Sequence, residues 1–127
     1  MLDDRQITDA SRTLYDNWRA GTKIETLDGA ARPRDRAEGY AIQAALATYS
    51  AAPLFGWKIA ATSEAGQRHI NVTAPLAGRI LAETVIPDGG IAAMGGNAMR
   101  VAEPEFAFRM GRDLMPRSTA FSVAEVL

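Results

Sequence analysis

Cysteine is absent from this chain of 127 residues, so neither a disulfide framework nor a thiolate metal site is open to it. Histidine occurs once, as His69. Any metal ion must then be held mainly by oxygen, which favours magnesium, manganese or calcium over zinc. Long apolar runs are missing as well. None approaches the ~20 residues that a membrane span needs, and the opening Met1-Leu2-Asp3-Asp4-Arg5 is acidic where a signal peptide would be basic. A cytoplasmic protein with no membrane partner is expected. Charge of one sign is not in excess either. Fourteen basic residues against fifteen acidic ones give a net charge of −1, and the arginines are scattered apart from Arg32, Arg34 and Arg36, so a nucleic-acid partner finds no support. Among the fourteen, only Lys23 and Lys58 are lysine.

What is present has the composition of an ordinary globular domain, 47% hydrophobic and 23% charged, with enough length to bury a core. Residues 1–52 read as a helical region. Ile7, Ala10, Leu14 and Trp18 recur at helical spacing between an acidic start and Gly21, which predicts an amphipathic helix from Asp4 to Ala20 with Trp18 in the core. A loop follows over 21–33. A second, alanine-rich helix is predicted from Arg34 to Tyr49, with Ala37, Tyr40, Ala41, Ala44, Ala45 and Thr48 on its buried stripe and Gln43 solvated.

Residues 53–127 read as the start of a β-rich region. In Leu54-Phe55-Gly56-Trp57-Lys58-Ile59-Ala60-Ala61 alternation sends Trp57, Ile59 and Ala61 to one face and Gly56, Lys58 and Ala60 to the other. Small neighbours leave room around the Lys58 ammonium, which either snorkels to solvent or serves as a proton donor and fixed charge beside an anionic substrate. Ser63 reads as the N-cap of a short helix ending near His69. A strand is predicted over Gly78–Ala82. Further on, Pro87-Asp88-Gly89-Gly90 and Gly95-Gly96-Asn97 are turn signals on either side of the short apolar run Ile91–Met94. Helices first and short strands second make an α+β class.

Chemistry is concentrated in Val101-Ala102-Glu103-Pro104-Glu105-Phe106-Ala107-Phe108-Arg109-Met110. Read as a strand, it puts Ala102, Pro104, Phe106, Phe108 and Met110 on a core face and both carboxylates on the other, about 6.5–7 Å apart along the backbone. From there Glu103 and Glu105 can lean onto one cation. Two glutamates on the wet face of a half-buried strand are common. These stand out because glutamate is a poor strand former, because Pro104 removes a ladder donor, and because adjacent like charges repel unless something neutralises them. Near the end, Ser122-Val123-Ala124-Glu125 has the spacing of a capping box, yet only Leu127 lies two places beyond. A start signal without a helix behind it leads us to expect the front portion of a longer domain.

Three segments in order, Ala41-Ile42-Gln43, Gly56-Trp57-Lys58-Ile59-Ala60-Ala61-Thr62-Ser63 and Val101–Phe108 with Gly111-Arg112-Asp113-Leu114 after it, resemble the 2-keto-4-pentenoate hydratase and 4-oxalocrotonate decarboxylase branch of the fumarylacetoacetate hydrolase superfamily. The resemblance implies the front part of that superfamily's mixed β-roll, truncated. It implies a lyase, a hydratase acting on 2-hydroxydienoate or 2-keto-4-pentenoate-type acids in aromatic catabolism, that takes a small 2-keto acid on Mg2+ or Mn2+. Glu103 and Glu105 match two metal ligands, Lys58 a catalytic acid/base or electrostatic group, and Thr62 and Ser63 a loop that shapes the substrate pocket. A third metal carboxylate is implied beyond Leu127. Leu76, in Pro75-Leu76-Ala77-Gly78, stands where many hydratases carry aspartate, which keeps 4-oxalocrotonate-type decarboxylation as the alternative. A homo-oligomer, or association with a missing C-terminal half, is implied too. A reading of another class is a non-catalytic remnant or partner subunit, which an exposed Phe106, Phe108 and Met110 would favour.

Overall fold

The computed structural model describes residues 1–95, 97 and 99–127 of the chain. The element order is α1 (Asp4–Ala20), α2 (Arg36–Ala47), β1 (Gly56–Ala60), α3 (Glu64–His69), β2 (Leu76–Ile80), a single 3-10 turn at Ala82–Thr84 and α4 (Val123–Val126). Among the described residues this is a small α+β protein with four α-helices and one two-stranded antiparallel sheet. No helix among them is long and apolar enough to cross a membrane.

α1 has the predicted bounds because both of its ends are specified locally. The Asp3 side chain accepts from the Gln6 amide at 2.8 Å while the Gln6 side chain accepts from the Asp3 amide at 2.9 Å, a reciprocal cap that satisfies two orphan donors. At the other end Gly21, at φ 66, turns the chain left-handed and its N–H reaches the Trp18 carbonyl. α2 begins after Asp35, whose carboxylate caps the Glu38 amide at 2.9 Å, and stops at Ala47, so it is shorter at both ends than its pattern predicts. The loop between the helices runs back along α1, where Gln6 Nε2 donates to the Ala30 carbonyl at 2.7 Å.

That return makes the two helices run side by side in the same sense. Their starts are tied by Glu38, only 3% exposed, which accepts from the Leu2 amide at 2.7 Å, from the Arg34 amide at 2.7 Å and from the Arg34 guanidinium at 2.8 Å. Just past the end of α2, the Tyr49 hydroxyl meets Ser11 Oγ at 3.2 Å and its ring packs on Tyr15 at 5.0 Å. The core between them is Leu2, Ala10, Ala31 and Ile42, with Ile7, Leu14 and Leu27 packed against it. Trp18 is not part of this core. It lies one turn past Tyr15, where α2 no longer runs alongside, and is 45% exposed.

β1 and β2 pair antiparallel in a register that sets Lys58 opposite Gly78. β2 begins two residues earlier than predicted. Leu81, next after its last residue, is buried, and the 3-10 turn at Ala82–Thr84 ends the extended run. Its Ala77 amide donates to the Tyr40 hydroxyl at 3.1 Å, and its carbonyl accepts from Gln43 Nε2 at 3.2 Å. Side chains of α2 thus satisfy backbone groups that would otherwise form an open sheet edge. Gln43 also accepts from Arg79 at 3.0 Å, so it is a half-buried bracket between helix and sheet and not the solvated residue its helical neighbours suggested. Along β1 it is Gly56, Lys58 and Ala60 that are half-buried, whereas Trp57 and Ile59 stay about half exposed. Trp57 has the Arg79 guanidinium 4.7 Å above its ring.

Beyond the 3-10 turn the predicted strands do not form. Ile91–Met94 is irregular and exposed, and of the second glycine turn only Gly95 and Asn97 lie within the described residues. Residues 101–110 have no ladder partner among the described residues, and the expected core face is open to solvent, with Phe106 fully exposed and Phe108 at 72%. Pro104 withholds a ladder hydrogen bond, and a two-stranded sheet has little apolar surface to offer a third strand. α4 does form, short as it is. Glu125 accepts from the Ser122 amide at 2.7 Å and holds the Arg117 guanidinium through two contacts at 2.7 and 2.8 Å.

Two expected outcomes follow from the helical half. Ile42→Ala costs about 2–5 kcal/mol, as truncations at fully buried positions do, and denaturant unfolding reads it. Glu38 has its carboxyl lowered from 4.5 to about 2, chiefly by the Arg34 guanidinium and then by the Arg34 amide. Because the folded value is depressed, its stabilisation is complete above the ordinary value and is lost as pH falls through that range toward about 2. Thermal melts from pH 7 downward show that loss in the parent chain, and Glu38→Gln lowers Tm at pH 7 and flattens the acid limb.

Candidate functional site

Lys58 stands in the middle of β1 on its half-buried face, between Gly56 and Ala60 and opposite Gly78. None of these three neighbours has a side chain larger than a methyl, and this keeps the space beside the lysine stem open. Its ammonium is met by the carboxylates of a segment 45 residues further along the chain. Glu103 Oε2 lies 3.1 Å from Lys58 Nζ, and Glu105 Oε1 contacts the same nitrogen. The segment that carries them is irregular, but it is extended enough for residues i and i+2 to reach one point. The side chain of Lys58 is 34% exposed, that of Glu105 46% and that of Glu103 65%. Water therefore screens the ion pairs in part, and each contributes at most about 1 kcal/mol.

These three side chains line an open cleft of about 400 Å³, together with Asn97, Met99 and Val101. Nothing in the pattern of the sequence singled out the last three. A clue lay in the turn signal at Asn97. Its Oδ1 accepts from the Met99 amide at 3.1 Å and the Arg100 amide at 3.0 Å, and so sets the direction in which the chain enters the glutamate segment.

Thr62 and Ser63 are not brought to this cleft. Ala61 adopts φ 56 and turns the chain away from the β1 direction, a bend pinned by Gln67 Nε2 on the Ala61 carbonyl at 3.1 Å. Ser63 Oγ is engaged locally, accepting from the Gly66 amide at 3.1 Å as the cap of α3. Thr62 is exposed, and His69 sits exposed at the end of the same helix.

The fit of a metal ion can be judged from the donors. Both carboxylates already converge on one positive centre, so they are placed to share a cation. Among the described residues no third carboxylate or imidazole joins them. Magnesium, which dehydrates reluctantly and is often held by one or two carboxylates with water and substrate oxygens around the rest, suits such a pair. The ammonium of Lys58 competes for the same oxygens, and this keeps affinity low.

Lys58→Met removes the positive centre that holds residues 103 and 105. Backbone NMR order parameters over 101–106 are expected to fall, while global stability in denaturant changes by no more than about 1 kcal/mol, since the pairs are screened. Compared with protein-family models, curated proteins and solved structures, the chain matches none.

Proposed function

We propose that the cleft between β1 and the glutamate segment is a cation-dependent site for small 2-keto acids, and that the chain belongs to a hydro-lyase of the 2-hydroxydienoate hydratase kind. The convergence of Glu103 and Glu105 on Lys58 supports this reading most, since it joins in space two of the three segments that carry the resemblance to the keto-acid hydratases. Decarboxylation of a 4-oxalocrotonate-type acid is the alternative on the same residues.

Glu103 and Glu105 would hold Mg2+ or Mn2+, which when bound polarises the carboxylate and 2-oxo group of the acid. The chain's own part is to orient and to supply charge. Lys58 presents its ammonium from the half-buried face of a strand, so an anionic acid in the cleft meets a fixed positive charge. The same group is a proton donor within reach of a substrate carbon whose neighbouring carbonyl gains negative charge. Two carboxylates beside one ammonium leave a net charge of −1 before a cation arrives, so an acid alone is repelled. Cation and keto acid are expected to bind together.

Titration with Mn2+ followed by electron paramagnetic resonance tests the donor set. Glu103→Gln with Glu105→Gln lowers affinity at least tenfold, and addition of a 2-keto acid raises it in the parent chain. Turnover of a 2-hydroxydienoate depends on the added cation and falls by about 10²–10⁴ in Lys58→Met, the range general acid–base groups supply. Cation binding that survives both glutamine substitutions rules the reading out.

A second reading is favoured by a separate observation, the exposure of Phe106, Phe108 and Met110. Apolar rings left in water mark a surface that another chain covers. In this reading the protein is a non-catalytic partner subunit that packs this segment against a relative or against its own copy. Sedimentation of the parent chain then shows self-association that Phe106→Ser with Phe108→Ser reduces.

A further inference from the structure

A larger cavity, about 590 Å³, opens where α1 ends, and of its lining only Asn97 is shared with the cleft described above. We propose that it binds small ligands that join a planar aromatic ring to an anionic group, a carboxylate or a phosphate. Its volume lies within the range of small-molecule sites, roughly 300–1,000 Å³, and exceeds what a lone anion fills.

Trp18 supplies the apolar wall. It comes from the buried stripe of α1 by sequence, yet α2 does not run past it, and the cavity is where its exposed surface is found. An indole face kept half in water is a stacking platform for a flat ring. The charged wall is made by Lys23, just after α1, and by Arg100, from far along the chain. Lys23 is one of only two lysines in the sequence. Neither cation belongs to an ion pair among the described residues, and no carboxylate lines the cavity. An anion entering there meets two positive groups and no competitor.

The polar groups around them are already engaged, which favours a preformed site over a collapsed one. Thr22 Oγ1 donates to Asn17 Oδ1 at 2.8 Å, and Asn17 Nδ2 donates to the Thr13 carbonyl at 2.8 Å. Arg100 is held at φ 51 by the Asn97 side chain on its amide. The end of a helix carries partial negative charge, which opposes an anion. Here the carbonyls of Trp18 and Asn17 are taken by the amides of Gly21 and Thr22, and the two full positive charges outweigh what is left.

The test follows the Trp18 indole N–H in two-dimensional NMR of the full chain with chelator present, Trp57→Phe serving to assign it. Four probes are titrated: benzoate, adenosine monophosphate, acetate and inorganic phosphate. Saturable binding of benzoate or of the nucleotide, at least tenfold tighter than of the matching ring-free anion, is the expected result, and whichever of the two binds more tightly identifies the carboxylate or phosphate source. Lys23→Ala and Arg100→Ala each weaken it about tenfold with unchanged circular dichroism. With chelator present throughout, this binding needs none of the cation that the keto-acid cleft requires, so a failure of one reading is told apart from a failure of the other. Equal binding of acetate and benzoate and of phosphate and nucleotide, no saturation with any probe, or full affinity after both cation substitutions overturns the proposal.

Discussion

Glu38 is the interaction around which the ordered part of this protein is assembled. A carboxylate 3% exposed is tolerable only if its lone pairs are filled, and here they are filled by the Leu2 amide and by the amide and guanidinium of Arg34. Those donors belong to the segment before α1 and the segment before α2. One side chain thereby fixes where both helices begin, and the small core of Leu2, Ala10, Ala31 and Ile42 closes beside it. Charge-assisted hydrogen bonds also explain why an acid can serve where apolar volume is scarce. Two of these four core side chains are alanine, so there is little dispersion energy to set against chain entropy, and directional bonds supply the register that bulk does not.

From this clasp order passes along the chain. α2 holds β2 through Tyr40 and Gln43, β2 holds β1 through the ladder, and β1 holds the glutamate segment through Lys58 alone. The last of these steps rests on two ion pairs whose side chains are 34–65% exposed. The candidate cleft therefore sits at the weakly held end of the series, where its two carboxylates are gathered by charge and not by a strand ladder. A cation that replaces the ammonium would take over the role of gathering them, so ligand binding and local order would be coupled.

How far the sequence was legible depends on how local each contact is. α1 could be read to the residue, since Asp3, Gln6 and Gly21 are local signals that act on adjacent backbone. Ser63 as a cap was readable for the same reason, and so was the Ser122–Glu125 pair. The approach of Glu103 and Glu105 to a common centre followed from their spacing of two. Misreadings came where the outcome depended on what a residue would meet. Trp18 has the periodicity of a core residue but lies past the helix that would cover it. Gln43 looked solvated among alanines, yet the sheet places Ala77 and Arg79 within its reach. The alternation in 101–110 is that of a strand, and nothing stands beside it to pair with.

By itself, then, the sequence determined both ends of α1, the α+β class and the spacing of the carboxylate pair, because capping, turn chemistry and side-chain spacing act over a few residues and need no distant partner. Tertiary structure alone decided that Lys58 meets those carboxylates across 45 positions, that Glu38 lies buried among the starts of two helices, and that Thr62 and Ser63 turn away from the cleft. Such contacts depend on loop paths and on which surface is left to cover. These are set by the whole chain at once, and so no short window of residues encodes them.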